Sequence, residues 1–237
     1  MITQQLFRRF YPDSRHDGTR AFYGWVRQYT GADTVMLNLG AGPATGNPVR
    51  VFKGEVARVV GADIDPIVLE NSELDEAHII VHGSLPVPTD GFDIVLSDYV
   101  LEHVAQPRQV MSEVHRVLKP GGSFFFRTPN KYHYVSLIAR ATPHWFHNLF
   151  ANRVRGLIED PHEPYPTYHR MNSRKSLQRI AQGVGFGSMA FRMIEAQPSY
   201  LMFHALPFLM GVVYERTVNR YEVLAGLRAN IFGRLVK

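Results

Sequence analysis

The feature that most constrains this chain is a series of short, unbroken apolar runs separated by stretches of helical period. The runs are Asp33 to Leu39, Arg58 to Ala62, Ala77 to Val81, Phe92 to Ser97 and Ser123 to Thr128. A strand with one wet face alternates apolar and polar residues, whereas a strand covered on both faces does not. Unbroken runs joined through helical segments therefore predict a parallel sheet with helices on both faces. Right-handed crossovers wind such a sheet in two directions and leave a crevice beyond the carboxyl ends of its strands. Gly185 to Glu195 reads as a sixth strand and Ala229 to Val236 as a closing seventh. The expected fold is α/β: a Rossmann-like, doubly wound, mostly parallel seven-stranded sheet.

Helices fill the gaps. Residues 3–10 and 19–29 carry apolar residues at helical spacing, as does Val104 to Leu118, where Val110, Val114, Val117 and Leu118 share a face. Lys119-Pro120-Gly121-Gly122 stops that helix. Asp65-Pro66 reads as a cap followed by a first-turn proline, and Asn172 or Ser173 caps a helix running to about Gln182. Residues 199–225 read as helical. Residues 141–172, rich in Pro, His and aromatics, read as a lid. The expected organisation is a helical cap at 1–32, a cofactor-binding core at 33–130, a lid and acceptor-binding insertion at 131–172, and C-terminal helices and closing strands of the same domain at 173–237.

Composition removes whole classes of chemistry. The 237 residues hold no Cys, which excludes disulfide staples, cysteine zinc sites and thiol nucleophiles. With 45% hydrophobic and 20% charged residues, disorder and coiled coil are excluded too. A net charge of +5 permits an acidic partner but is too small an excess to argue for nucleic acid. The N-terminal MITQQLFRRFYPDSR has no apolar core of a secretory leader. The apolar stretch Tyr200 to Tyr214 is interrupted by His204, Pro207 and Gly211 and is too short to span a bilayer. These features read as a soluble, cytoplasmic protein. The segment 199–215 offers a surface for peripheral membrane contact or for a second copy of the chain.

Asn38-Leu39-Gly40-Ala41-Gly42 closes the first strand. Glycines there let the backbone approach a ligand, and the following helix is expected to present its free N–H groups. Some twenty residues on, Gly61-Ala62-Asp63-Ile64-Asp65 ends the second strand with an acid that can accept both hydroxyls of a ribose. Strand, glycine turn, helix, strand and acid in this order are far more specific than the turn alone.

A third block narrows the reading. LPVPTDGFDIVLSDYVLEHV, followed by EVHRVLKPGG and FFFRTPN, resembles the class I S-adenosylmethionine-dependent methyltransferases, especially their small-molecule branch, over about residues 34–130. The resemblance implies S-adenosylmethionine as cofactor and S-adenosylhomocysteine as product. It implies that Gly40, Ala41 and Gly42 lie under the methionine part and that Asp63 binds the ribose. Ile64 would pack on the adenine, Ser84 and Leu85 would stand near its amine, and Ser97 and Asp98 would sit near the methionine amino group. There are departures. Asn38 stands where the family usually has an acid; its amide still accepts a hydrogen bond but brings no charge, which leaves room for ammonium recognition to shift elsewhere. Pro43 and Ala44 alter the spacing to the next glycine, which leaves Gly46 for that role. His82-Gly83-Ser84-Leu85 lacks the acid often found after the third strand.

The sulfonium methyl is already activated, so the protein mainly aligns the acceptor and excludes water. A hydroxyl acceptor gains from a base, and histidine suits proton transfer near neutrality. His133, after the fifth strand, and His103, in Leu101-Glu102-His103-Val104 after the fourth, are the candidate catalytic residues, against packing or capping roles. His144 and His147 with Glu163 have a spacing that invites a metal, but spacing without a third fixed ligand is a poor signal, packing beside Trp145 and Phe146 is the plainer account, and no metal is expected. Trp145, Phe146, Phe150, Tyr165 and Tyr168 offer an apolar acceptor pocket or the lid's own core. Arg153, Arg155, Arg170, Arg174, Lys175 and Arg179 suit an anionic acceptor or simply a solvated face.

The function expected is methyl transfer to a small molecule, at a hydroxyl of a natural product, quinone-like compound or saccharide. The alternatives are N-methylation, RNA methylation or a non-catalytic membrane-surface or binding protein of the same fold. Ser97-Asp98-Tyr99-Val100 is not the Asp/Asn-Pro-Pro-aromatic turn of amino-methylating DNA enzymes, and the missing cysteine closes the thiol-adduct route to cytosine C5.

Overall fold

The computed structural model describes residues 2–141 and 165–237. Seven strands, β1 (Val35–Leu39), β2 (Arg58–Asp63), β3 (Glu76–Ile79), β4 (Phe92–Asp98), β5 (Leu118–Pro129), β6 (Ser188–Ile194) and β7 (Asn230–Val236), form one sheet. Their order is β3-β2-β1-β4-β5-β7-β6. The strands from β3 to β5 are parallel to their neighbours. β7 runs against β5, since Asn130 donates to the Ala229 carbonyl at one end and Lys237 to the Gly122 carbonyl at the other. The mostly parallel, doubly wound sheet is thus the one the apolar runs predict. The order in which the chain adds strands reverses between β1 and β4, where a crevice opens at a switch point of this kind. Register levels the two strands there: Leu39 lies opposite Ala62 on one side and Ser97 on the other.

The runs are unbroken because both faces are covered. Leu37, Val95, Phe124, Phe125 and Phe126 are all fully buried. Helix α1 spans Ile2–Phe10 and α2 Gly18–Arg27; Phe22 of α2 meets Phe232, and Trp25 meets Phe125, both edge-on. Helix α3 (Pro107–Val117) buries Met111, Val114 and Val117. It starts three residues later than its apolar period suggests, because proline at the first turn fixes the start. Leu101–His103 ahead of it is a separate 3-10 turn. Helix α4 is Tyr134–Ala141, inside the segment read as lid. In α5 (Arg174–Val184) the Ser173 side chain accepts from Ser176 N–H, and Gly185 at φ 110° closes the other end. The stretch read as one helix over 199–225 is three pieces: a turn at Ser199–Leu201, helix α6 at Ala205–Arg220 and a turn at Glu222–Leu227. His204 ends the first piece by capping α6, where its side chain accepts from Leu206 N–H.

One expected helix does not exist. Residues 40–57, between β1 and β2, form an irregular loop. Gly40, Gly42, Pro43, Gly46, Asn47 and Pro48 crowd its first nine residues, and glycine and proline are the costliest helix residues. Side chains hold the loop in place of helical bonds. Asp63 accepts from Gly42 N–H at 2.8 Å, and Asn71 donates to the Gly42 carbonyl at 2.9 Å. Glu73 accepts from Gly46 N–H at 2.7 Å. Arg27 donates to the carbonyls of Val49 and Val51 at 2.7 and 2.8 Å, and Lys53 to that of Leu74 at 2.6 Å. Phe52 is buried and stacks with Tyr23.

The chain divides into two compact units. One comprises Phe22–Thr128, Thr167–Arg192 and Ile231–Lys237 and contains most of the sheet. The other comprises Met1–Ala21, Pro129–Pro166 and Met193–Asn230. Its core is Tyr11, Phe208 and Val212, with Leu6, Phe7, Phe10 and Met202 against them. Leu206, Met210 and Val213 lie on the exposed side of α6. Among the described residues no helix is long and apolar enough to cross a membrane.

Candidate functional site

Strands β1 and β4, with Val59 of β2, meet the loop 40–57 at a cleft. Its floor is apolar, with Met36, Val59, Leu74 and Leu96; its polar lining includes Tyr23, Asn38, Arg50, Asn71, Glu73 and Asp98, with Gly40 and Ala41 beside them. The structure thus brings together four residues singled out from sequence: Asn38, Gly40, Ala41 and Asp98. Gly40, at φ 75°, must be glycine: a Cβ there would stand 2.2 Å from Val100 Cγ2. Gly42, at φ 53°, faces open space instead, with nothing within 4 Å of where a Cβ would be. That is the room a ligand lying against the turn requires.

Asp63 stands at the end of β2, and both its oxygens are engaged by backbone: Oδ2 by Gly42 N–H and Oδ1 by Asp65 N–H at 3.0 Å. It couples the turn after β1 to the end of β2. Asp65 has a different task. Its side chain accepts from Ile67 N–H at 3.0 Å and caps the 3-10 turn Pro66–Glu70, whose cap and first proline are those expected. Ile64 is 60% exposed, an apolar face open to solvent beside the acid.

Ser97 is fully buried, and its hydroxyl has no hydrogen-bond partner in the protein. Ser84 and Leu85 lie elsewhere than on the cleft wall. Leu85 is buried, and its N–H is bonded to Glu113 of α3 at 2.9 Å.

Asp98 is held tightly. Arg127 of β5 grips both its oxygens, through Nε and, at 2.7 Å, through Nη2. The Tyr23 hydroxyl donates at 3.1 Å, and Arg50 Nη2 lies 3.9 Å away. Burial, and then the Asp98 charge, raise the Tyr23 phenol well above its ordinary range. The Arg127 guanidinium also lies 4.6 Å from the Tyr99 ring, and Tyr99 itself sits at φ 58°, a costly conformation for a non-glycine residue.

Tyr23, Arg50, Asn71, Glu73 and Arg127 were not singled out from sequence. Arg127 did carry a signal: an arginine inside the buried run FFFRT needs an acid, and Asp98 ends the adjacent strand. Arg50 carried none, because it lies in an irregular loop.

A second group of polar residues lies at the ends of β4 and β5. Glu102 is buried, and burial pushes its carboxyl up to about 7. Thr128 donates to it at 3.1 Å, and Asn172 donates to the Thr128 hydroxyl at 2.7 Å. The Glu102 carbonyl accepts from Tyr168 and His169 N–H. His103 follows directly, half-buried, with its N–H on the Val100 carbonyl.

His133 belongs to the other unit. It is buried, Nε2 is 3.5 Å from Glu195 Oε1, and its ring packs on Tyr134 and Tyr214. Glu195 in turn accepts from Ala229 N–H at 2.7 Å. His144, Trp145, Phe146, His147, Phe150, Arg153, Arg155 and Glu163 lie outside the described residues. Among the described residues no cluster of three His, Asp or Glu could hold a metal ion.

Asn38, Arg50 and Asp98 make one part of the lining polar, while Gly42 and Asp63 are not among the residues that line the cleft. Residues 37–126 match the family model described as a methyltransferase domain. A probable S-adenosylmethionine-dependent methyltransferase of Mycolicibacterium smegmatis is 34% identical over 97 residues, covering 39% of this chain and 38% of that protein. A ubiquinone biosynthesis O-methyltransferase of Pectobacterium atrosepticum is 33% identical over 101 residues, covering 43% of this chain and 35% of that protein. The chain thus spans well under half the length of these relatives. In fold, a solved S-adenosylmethionine-dependent methyltransferase of Archaeoglobus fulgidus covers 99% of both chains, with a TM-score of 0.59 at 16% identity.

Proposed function

Residues 37–126 of this chain are a methyltransferase domain of the class I S-adenosylmethionine-dependent kind, and from that premise we propose that the protein moves a methyl group to a hydroxyl oxygen of a small-molecule acceptor. The observation that carries the reading is the open face of Gly42 beside a carboxylate, Asp63, that holds the same turn. Likeness to a ubiquinone biosynthesis O-methyltransferase supports an oxygen acceptor of quinol type.

When bound, the cofactor supplies a methyl group already activated by its sulfonium. The chain's own residues then have three tasks. Gly40, Ala41 and Gly42 let the backbone lie close to the ligand, and Asp63 receives the ribose hydroxyls. The acceptor is brought in line with the methyl and water is kept out. A base takes the hydroxyl proton. We assign that to His133, whose Nε2 is buried without a hydrogen-bond partner. His103 is the second candidate.

Incubation with S-adenosylmethionine and a panel of catechols, quinols and sugars, read by mass spectrometry, tests the reaction. A product heavier by one CH2 unit supports it, and no such product from any acceptor class counts against it. Replacing His133 by Ala is expected to lower kcat by about 10²–10⁴-fold while affinity for S-adenosylhomocysteine stays put. Turnover within threefold of wild type, to take a rough bound, would move the assignment to His103 or to an acceptor that needs no base.

A further inference from the structure

We propose that Arg50 holds the carboxylate of the cofactor's methionine end, while the amide oxygen of Asn38, not Asp98, receives its ammonium. The proposal rests on the cleft being the cofactor site.

An amino-acid carboxylate buried in a cleft needs donors. The usual source in a sheet of this kind, the free N–H groups at the start of a helix after β1, is missing, because residues 40–57 are a loop. The turn's own N–H groups are spent as well. Gly40 and Ala41 donate to the Ala62 carbonyl, and Gly42 donates to Asp63. The donors must therefore come from a side chain, and Arg50 is the one cationic side chain among the described residues that line the cleft.

Three observations make Arg50 suitable. Its Nε is buried and has no hydrogen-bond partner. Its backbone is fixed from both sides, because Arg27 donates to the carbonyls of Val49 and Val51. Its Nη2 lies 3.9 Å from Asp98, near enough to be oriented and too far to be satisfied. A guanidinium offers Nε and Nη as a parallel pair that matches the two oxygens of a carboxylate.

Charge points the same way. Asp98 is one carboxylate between two guanidiniums, Arg127 and Arg50, so this group carries one positive charge in excess. Both Asp98 oxygens are already engaged by Arg127, and Tyr23 adds a third donor, so little capacity remains for an ammonium. An acid at position 38 would cancel the excess and compete for Arg50. Asn38 does neither, and its amide oxygen still accepts. The other lining carboxylate, Glu73, is occupied by Gly46 N–H and the Thr45 hydroxyl.

Calorimetry on the full chain tests this with two probes, S-adenosylhomocysteine and its decarboxylated analogue, which keeps the amine and loses the carboxylate. Wild-type protein should prefer S-adenosylhomocysteine by about 10–100-fold, the range of a charge-assisted hydrogen-bonded pair. Arg50→Met should collapse that preference to within about twofold, and Arg50→Lys should retain part of it. Melting without ligand checks that both variants fold. A wild-type protein that binds both probes equally overturns the proposal whatever the variants do, and so does an Arg50→Met protein that keeps the preference. Wild-type protein that binds neither probe overturns the cofactor assignment itself.

Discussion

Two aspartates two residues apart do different work, and the difference can be measured. Asp63 bridges the Gly42 and Asp65 N–H groups and, in the function proposed above, receives the ribose; Asp65 caps a 3-10 turn. Hydrogen bonds to a charged group are worth about 1.5–3 kcal/mol, so Asp63→Ala is expected to weaken S-adenosylhomocysteine at least about tenfold by calorimetry. Asp65→Ala should cost about 1 kcal/mol of stability, the value of a cap, and leave affinity unchanged. The reverse result would shift the register of the ribose contact by two residues. Glu102 makes a pH-dependent contribution. Burial raises its carboxyl from 4.5 to about 7 in the folded protein, so the fold prefers it protonated. The stability this confers is complete below the unfolded value and is lost as pH rises through about 7, amounting to roughly 3 kcal/mol between the extremes. Glu102→Gln should therefore melt close to wild type at acidic pH and progressively higher than wild type as pH rises past neutrality. Parallel melting curves across that range would place the charge in a solvated environment.

At the scale of elements, the loop 40–57 and the packing of α1 on α6 show what propensity and burial each decide. The loop escapes helix formation because glycine and proline fill its first half, and it is ordered by Arg27, Lys53, Asp63, Asn71 and Glu73 from neighbouring elements. Helices α1 and α6 carry enough apolar residues for a shared core, but their pairing is a contact across some two hundred residues of chain. Phe208, fully buried, touches the rings of Phe7, Phe10 and Tyr11. Nearby, the Tyr11 hydroxyl donates to the buried Glu215 at 3.2 Å, and Asn219 does so at 2.7 Å. Phe208→Ala should cost about 3–5 kcal/mol in chemical denaturation, the usual range for emptying an aromatic site. A cost below about 1 kcal/mol would mean that this unit contributes little to the cooperative transition.

For the whole molecule, the doubly wound sheet follows from one alternation of apolar runs and helical stretches. The mostly parallel, doubly wound sheet was legible because burial on both faces writes itself into sequence as unbroken apolar runs, whereas the strand order was read only from the structure. Short-range signals were legible too: the Asp65 cap, the Ser173 cap and the glycines at 40 and 42 each meet a local backbone requirement. What the sequence by itself determined is therefore the sheet, the turn after β1 and the acid after β2, all set within a few residues of chain. The tertiary structure alone decided which charges meet. Arg127 reaches Asp98 across neighbouring strands, Arg50 enters the cleft from a loop held by Arg27, and the Leu85 N–H meets Glu113 of α3. Such pairings depend on side-chain reach and desolvation between segments far apart in sequence, and no periodicity or local propensity encodes them.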